Sequence, residues 1–358
     1  MQEIEIIKKL STRIEDRPEE ILKYIHIGIS IPVLPQFHKY IKSDIEEYNA
    51  KSILLENQIE AKEFGKQTDN VIGHTLIYDD GGEVLFFGFF NIYDHDPKKI
   101  ELLADEIINY AKDNDFSIIR GPINVPTVIF GWGFMVEGSR KDLFIGSPIN
   151  PPIYQQIFME KGFTIKFQED RYWMPALKMD PHNNPALVKK GVNFAEYEFS
   201  NPGRDGLMAI KEEYIELHAT YMPNSARITP RASKNFDNIV DFTHTFGANW
   251  MMWIVRHKES GQMAGCGYII PDIFHLNRKG ELDSVSFHDW VVHPDHRRKY
   301  LSMLMYGETS LLAKDRRTPH YINRGSWPVG ADNVANANAA MKMGGKKDRS
   351  HIILEKTV

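Results

Sequence analysis

The order of predicted elements occurs twice along the 358-residue chain, and this repetition limits the folds open to it. In the first half, Asp69–Tyr78 and Glu83–Phe90 predict a β-hairpin, because the Asp-Asp-Gly-Gly turn between them supplies residues that adopt positive φ. An amphipathic helix is predicted over Pro97–Asn114, where apolar residues recur at helical spacing. A strand, a helix and a strand then follow at Phe116–Ile123, Pro151–Lys161 and Phe163–Trp173.

The second half repeats this series after a helix at Arg204–Tyr221. A hairpin is expected at Trp250–Arg256 with Gln262–Ile270. The further expected strands are Ser284–Val292, His320–Gly325 and His351–Glu355, and the expected helices between them are Leu301–Lys314 and Asn333–Met343. The last helix of each half ends in a phrase with a lysine and a glycine, Lys161-Gly162 and Lys342-Met343-Gly344, and both residue types favour a helix C-terminus. The repetition predicts two domains of a duplicated α+β fold, residues 1–178 and 192–358, joined by a linker at 179–191.

Composition restricts the class of protein. The formal charge is −5, from 43 basic and 48 acidic side chains, so nucleic acid is an unlikely partner because its binders carry a basic surplus. The single cysteine, Cys266, excludes an internal disulfide framework and a multi-cysteine metal cluster. The longest apolar run, Val84–Phe90, has the length of a strand, far short of the ~18 residues of a membrane span, and residues 1–10 lack the apolar block of a secretory signal. We therefore expect a cytoplasmic protein without a membrane segment.

The stretch Ser284–Met305 carries the most chemistry, since a strand there runs through a polar turn into an apolar helix. A helix N-terminus offers unpaired N–H groups that hold phosphate. Arg297, Arg298 and Lys299 enter that helix and would add charge-assisted hydrogen bonds to a pyrophosphate. From spacing alone, a solvated basic turn is an equally acceptable interpretation.

His293–Ser302 resembles the acyl-CoA loop of the GNAT acyltransferase superfamily, written HPxxRxxGxG/A, and Asn333 and Gly344 have the family's asparagine–glycine spacing. Most of the chain is similar to a group of bacterial tandem-GNAT proteins, whose other landmarks stand here as Phe87–Phe90, Arg120–Asn124, Val136–Gly138 and Asn150–Pro152. The resemblance implies an α+β fold of two GNAT-like halves, each a mixed, mostly antiparallel sheet flanked by helices. It implies that residues 1–178 form a degenerate half, because Asn91–Lys99 has neither a basic triplet nor a glycine.

The resemblance also implies an acyl-CoA-dependent N-acyltransferase that acts on a small-molecule amine by direct transfer, with acetyl-CoA or another acyl-CoA as co-substrate and no metal. Backbone N–H groups near Trp290–Val292 would polarise the thioester carbonyl. The implied acyl-CoA contacts are Val291, Val292, Arg297, Arg298, Lys299, Tyr300, Leu301, Ser302 and Asn333.

Asp289 and His288 are the candidates for the group that takes the proton of the amine. Because side chains alternate along a strand, we expect only one of them to face the substrate, and Asp289 is slightly favoured; a purely structural role for either residue stays open. The family's proton-donating tyrosine is replaced by Ala340, and Tyr306 or Tyr321 could substitute for it. Asn124 and Asn150 are candidates for a substrate pocket between the halves, with the capping of turns and helices as the alternative.

Two departures from the family pattern keep other functions open. Tyr300 and Ser302 stand where the family has glycines, and Tyr300 adds bulk where phosphates approach the backbone. The alternatives are a non-catalytic pseudoenzyme that binds acyl-CoA or another ligand and an aminoacyl-tRNA-dependent peptidyltransferase, which the acidic charge disfavours. The polar residues between His288 and His296 fit no standard metal site, so we expect no metal.

Overall fold

The computed structural model describes residues 10–26, 30–57, 70–175, 179–221, 229–230, 233–315 and 322–358. Within these ranges the strands are β1 (Leu10–Glu15), β2 (Lys51–Asn57), β3 (Val71–Tyr78), β4 (Val84–Ile92), β5 (Ile118–Gly121), β6 (Phe134–Gly138), β7 (Thr164–Met174), β8 (Tyr197–Ser200), β9 (Met252–His257), β10 (Met263–Pro271), β11 (Ser284–Val292), β12 (Arg324–Gly330) and β13 (Lys346–Thr357). The α-helices are α1 (Pro18–Tyr24), α2 (His38–Glu47), α3 (Pro97–Asp113), α4 (Thr127–Phe130), α5 (Pro152–Glu160), α6 (Pro185–Lys189), α7 (Gly203–Ala209), α8 (Lys211–Tyr221), α9 (Ser233–Phe246), α10 (Leu301–Lys314) and α11 (Val334–Lys342).

The chain divides into two compact units whose borders differ from the domain limits expected from the sequence. The first unit comprises the described residues before Glu169 together with Arg349–Val358, and the second comprises most of the residues between them. The end of β7 therefore belongs to the second unit, although it lies in the N-terminal half, and most of β13 belongs to the first. The two halves have exchanged their last strands. The segment expected to be a linker contains α6, which Asn184 caps at its N-terminus.

The sheet of the first unit runs in the order β1, β2, β3, β4, β5, β13, and β6 also pairs with β13. All neighbours are antiparallel except β4 and β5, whose parallel pairing covers only Val84–Phe86 and Ile118–Arg120. Helices α3 and α5 close its apolar core, in which Phe87 and Phe158 stack with ring centroids 5.0 Å apart.

The sheet of the second unit runs in the order β7, β12, β11, β10, β9, β8. Again one pair is parallel, β11 with β12, and the others are antiparallel. Adjacent strand residues point to opposite faces. An added Cβ on Gly265 would lie 3.4 Å from Met305 of α10, so the next residue, Cys266, faces the opposite side, where α8 packs on β10 and β11. Each unit is thus a mostly antiparallel mixed sheet between helices, as the fold-class prediction states.

Candidate functional site

In the second unit, strands β11 and β12 part after a short stretch of pairing. They pair only over Ser284–Ser286 and Arg324–Ser326, and β12 continues along β7 instead, up to Gly330. The remainder of β11, from Phe287 to Val292, is therefore not covered by β12 on that edge. A strand edge of this kind presents backbone N–H and C=O groups to whatever enters the gap.

A β-bulge interrupts β11 at the same level. Gly267 pairs with Trp290 and Ile269 pairs with Phe287, so His288 and Asp289 together oppose the single residue Tyr268. The His288 ring lies parallel to the Tyr268 ring at 5.8 Å, and the Tyr268 hydroxyl donates to Asp289 Oδ2 at 2.8 Å. The expectation that strand alternation separates His288 from Asp289 is therefore wrong, because the bulge turns both side chains toward Tyr268.

Asp289 is also bonded to a residue that the sequence analysis did not single out. His218 Nε2, on α8, lies 3.1 Å from Asp289 Oδ2, and about one third of each side chain is exposed. Burial alone raises the pKa of Asp289, but the hydrogen bonds from His218 and Tyr268 and the nearby imidazole charges outweigh it and place this pKa below its ordinary value. Burial alone lowers the pKa of His218, but Asp289 outweighs it and raises this pKa.

His288 has a different electrostatic environment. Burial lowers the pKa of His288 to about 4; the Asp289 carboxylate opposes this shift and the charge of Arg171 adds to it, so the ring is neutral near pH 7. Its Nε2 atom is buried and has no hydrogen-bond partner among the described residues. His288 and Asp289 are adjacent in sequence, but near pH 7 the lowered pKa of His288 keeps its ring neutral and the lowered pKa of Asp289 keeps its carboxyl ionised.

The loop that follows β11 presents a row of backbone donors. Within the described part of the chain, the backbone N–H groups of residues 298–302 donate to no other group of the protein. Arg298 and Tyr300 adopt φ of 64° and 63°, and Tyr300 immediately precedes α10. The side chains of Arg297, Arg298 and Lys299 are exposed around these donors. Successive N–H groups in such a loop, at a helix N-terminus, form an anion-binding concavity.

The side chain of Tyr300 contacts Lys190, the residue that follows α6. The Lys190 ammonium lies 5.1 Å from the centre of the Tyr300 ring and donates to its hydroxyl at 3.2 Å. Tyr300 therefore keeps a left-handed backbone conformation, which glycine adopts most readily, while its side chain makes a surface contact.

The remaining predicted residues lie around this region with different surroundings. Tyr306 on α10 is buried, and its ring centroid lies 6.1 Å from those of Phe287 and Trp290 and 6.4 Å from that of Trp327. Asn333 caps α11, since its side chain accepts from the backbone N–H of Asn336 at 3.2 Å. Of the predicted acyl-CoA contacts, Val291 and Leu301 are buried and Ser302 is exposed. Val292 is half-buried, and its carbonyl oxygen accepts a hydrogen bond from Arg297 Nε at 3.2 Å. Tyr321 lies outside the described residues.

In the first unit, the chain itself fills the corresponding gap. Asn124 Oδ1 accepts from the backbone N–H of Phe89 at 2.7 Å, and the Tyr154 hydroxyl accepts from the backbone N–H of Ile92 at 2.9 Å. A Cβ on Gly88 would lie 2.1 Å from the carbonyl oxygen of Ile123, so only glycine fits there. The register of β3 and β4 also shifts at this level.

These contacts correct the expectation that Asn124 lines a substrate pocket. Its side chain is 4% exposed, and its amide nitrogen donates to the carbonyl of Phe130 at 3.1 Å, so both ends of the amide are used within the unit. Asn150 Oδ1 accepts a longer hydrogen bond, 3.4 Å, from the backbone N–H of Met135. Asn150 also precedes the N-cap of α5, which is Pro151.

His218 and Tyr268 are the two site residues that sequence reasoning missed. A usable signal was present, since Tyr214, His218 and Tyr221 recur at helical spacing on α8. That pattern is also typical of an ordinary core-facing stripe, and only the packing of α8 on the sheet brings His218 to Asp289.

Two further findings concern metals and membranes. Among the residues that the structure describes, no group of three or more histidine, cysteine, aspartate or glutamate side chains is placed to hold a metal ion. None of the helices in the described ranges is both long and apolar enough to cross a membrane.

Comparison with known proteins finds similarity in structure only. No protein-family model matches the sequence, and no curated protein matches it. A tandem GNAT protein from the clavulanic acid biosynthesis pathway, solved without AcCoA, matches over 97% of this chain and 98% of its own, with 12% identity and a TM-score of 0.56. A GCN5-related N-acetyltransferase from Sphaerobacter thermophilus matches over 98% of this chain and 96% of its own, with 9% identity and a TM-score of 0.54.

A third match is a GCN5-related glucosamine N-acetyltransferase region of a fungal multi-domain β-N-acetylglucosaminidase. It covers 97% of this chain and 38% of that one, with 10% identity and a TM-score of 0.59. At these identities the similarity establishes the fold. The chain therefore has the fold of the GNAT N-acetyltransferases in its tandem form.

Proposed function

We propose that this chain is an acyl-CoA-dependent N-acyltransferase for a small-molecule amine and that its second unit carries the reaction. The observation that supports this most is the run of N–H groups at residues 298–302 that have no acceptor among the described residues. This run ends at the N-terminus of α10 and is surrounded by Arg297, Arg298 and Lys299. This donor set fits a pyrophosphate, which needs several hydrogen bonds and positive charge at close range.

The residues present fit the co-substrate in the second unit better than in the first. In the second, β11 is uncovered beyond Ser286 and leads directly into the donor loop. In the first, Asn124 and Tyr154 already occupy backbone N–H groups of β4. We infer that the first unit has no acyl-CoA site of this kind.

An acyl-CoA supplies an acyl group activated as a thioester. A backbone N–H group near Trp290–Val292 on the uncovered edge of β11 would stabilise negative charge on the thioester oxygen. The C–N bond forms as the amine attacks, the C–S bond then breaks, and the thiolate of CoA leaves. Burial raises the pKa of Tyr306 to about 12, so its hydroxyl stays protonated and is our candidate for the group that protonates the thiolate.

The acyl donor and the acceptor are proposed at the level of class. The tandem protein from the clavulanic acid pathway was solved in a form described as lacking AcCoA, which makes acetyl-CoA the first donor to test. The glucosamine N-acetyltransferase region makes amino sugars one acceptor class to include, beside polyamines and amino acids.

The test is thermal unfolding of the protein with and without CoA and acetyl-CoA, followed by an assay for the free thiol of CoA with an amine panel. A ligand that binds only the native state raises the midpoint. We expect millimolar acetyl-CoA to raise the midpoint and the Arg297→Ala, Arg298→Ala double variant to lose most of the shift. The matched control is Arg278→Ala with Lys279→Ala, another exposed basic pair of the second unit.

No shift at millimolar ligand, or an equal loss in both double variants, would contradict the proposed binding site. A shift without thiol release across the panel would favour the non-catalytic acyl-CoA-binding alternative.

A further inference from the structure

The His218 imidazole contacts the carboxylate of Asp289 on the β-bulge of β11, and no step of the proposed reaction has yet used it. It lies on α8, which packs against β10 and β11 on the face opposite α10. About one third of its side chain is exposed, so the ring reaches solvent while one nitrogen is held by Asp289. A direct attack by an amine needs a group that can accept a proton at this level of the sheet.

The geometry fixes the orientation of the ring. Nε2 of His218 donates to Asp289 Oδ2 at 3.1 Å, and the Tyr268 hydroxyl donates to the same oxygen at 2.8 Å. A carboxylate on one ring nitrogen selects the tautomer in which the proton sits there, so Nδ1 carries the lone pair. Three different elements, α8, β10 and β11, supply the members of this arrangement.

Asp289 is poorly suited to accept the proton itself. Its pKa is held below the ordinary value of a carboxyl because His218 and Tyr268 donate to it, so it remains ionised far below neutral pH. An effective base has a pKa near the working pH. His218 suits this role better, since Asp289 raises the pKa of its imidazole above the ordinary value and so makes the ring a stronger proton acceptor. His288 does not suit it, because its pKa is lowered to about 4.

We propose that His218 is the catalytic base and that Asp289 and Tyr268 are positioning residues that orient it. The inference rests on the proposed function. His218 Nδ1 takes one proton from the attacking amine as the C–N bond forms, and the resulting imidazolium is stabilised by the Asp289 carboxylate. When the C–S bond breaks, the thiolate takes a proton from Tyr306, and His218 returns its proton to solvent, which reprotonates Tyr306.

The experiment measures the pH dependence of kcat/KM for the wild type, His218→Gln and Asp289→Asn, with acetyl-CoA and the best amine of the panel. We expect His218→Gln to lower kcat about 10²- to 10⁴-fold, the usual contribution of general acid–base catalysis, and to leave the KM for acetyl-CoA unchanged. In the wild type, activity falls as pH drops through the raised pKa of His218. Asp289→Asn removes the group that raises this pKa, so the fall moves to lower pH.

A second readout is independent of turnover. NMR titration of the imidazole of His218 gives its pKa in the wild type and in Asp289→Asn, and we expect a decrease in the variant. The matched control is His182→Gln, because His182 Nε2 also contacts a carboxylate, Glu308 Oε1 at 2.6 Å, on an exposed surface of the same unit. This control is expected to keep full activity and an unchanged pH profile.

The outcomes separate the two proposals. Absence of acyl transfer by the wild type overturns the proposed function, and the role of His218 with it. Transfer by the wild type that His218→Gln leaves intact, or a pKa of His218 that Asp289→Asn does not move, overturns the assignment of His218 alone. Melting temperatures of the variants show whether a loss of activity reflects a loss of folding.

Discussion

At the scale of single residues, Tyr300 shows how a substitution can change a loop's chemistry and keep its backbone. An L-residue in the left-handed region costs about 1–2 kcal/mol, and Tyr300 sits there at φ 63° and ψ 21°. The contact with Lys190 holds the ring at the surface. The sequence showed that a bulky residue replaces the expected glycine, but the direction of its side chain depends on where α6 packs, which the loop sequence does not encode.

The strain at Tyr300 leads to a prediction about stability. We expect Tyr300→Gly to be more stable than Tyr300→Ala by about 1 kcal/mol, because glycine adopts positive φ without the steric cost. The order reverses at Lys299, whose φ is not positive, so Lys299→Gly and Lys299→Ala are the matched control. Urea unfolding followed by tryptophan fluorescence measures the difference, since five of the six tryptophans lie in the second unit. The same order at both positions would contradict the argument.

At the scale of elements, β11 shows both the reach and the limit of sequence patterns. Its bounds, Ser284–Val292, are those predicted, because a run of β-forming residues is a local signal. The bulge is absent from the prediction, since it depends on how β11 pairs with β10. The prediction of a single helix at Arg204–Tyr221 was wrong, since α7 and α8 are separate helices there.

The candidate site was likewise predictable only where its residues are close in sequence. The donor loop and Asp289 lie in one continuous stretch and could be named from sequence. His218 is separated from Asp289 by 71 positions, and only tertiary packing brings them together. The elements before β3, which are β1, β2, α1 and α2, were not predicted from the sequence. No local sequence motif indicated that these elements pack into the first unit.

Asn124 gives a prediction at this scale, because it closes the gap between β4 and the segment after β5. Asn124→Ala leaves the buried N–H of Phe89 without an acceptor, and we expect a loss of about 1–3 kcal/mol in the free energy of unfolding of the first unit. Hydrogen exchange of the Phe89 amide should become faster. Asn150→Ala, which removes only a 3.4 Å contact, is the control and should change little. Unchanged exchange at Phe89 in Asn124→Ala would show that the gap closes without this bond.

At the scale of the whole molecule, the exchange of β7 and β13 separates sequence halves from structural units. The repeated order of elements predicted domain borders at residues 178 and 192, and each element in that repeat was predicted from local sequence alone. The choice of partner for the last strand of each half is a long-range property. Glu169–Met174 pairs with β12 in the second unit, and Ile118–Gly121 pairs with β13 in the first.

The exchange predicts how the protein can be divided. Fragments 1–178 and 192–358, made separately, each lack a strand of their sheet, so we expect neither to unfold cooperatively in a circular dichroism melt. A chain of residues 10–168 continued through a glycine–serine linker into 349–358 restores β13 to the first sheet and should melt cooperatively. Cooperative melting of fragment 1–178 alone would show that β13 is dispensable.

The same exchange has a consequence during synthesis on the ribosome. The strand that completes the first sheet is translated roughly 180 residues after the rest of that sheet, and at about 5–20 residues per second this delay lasts about 10–40 s. For that interval one edge of β5 has no partner, and an unpaired edge invites pairing with other chains. The first unit thus emerges from the ribosome before the second and is completed after it, so its unpaired strand edge stays exposed while the second unit is synthesised.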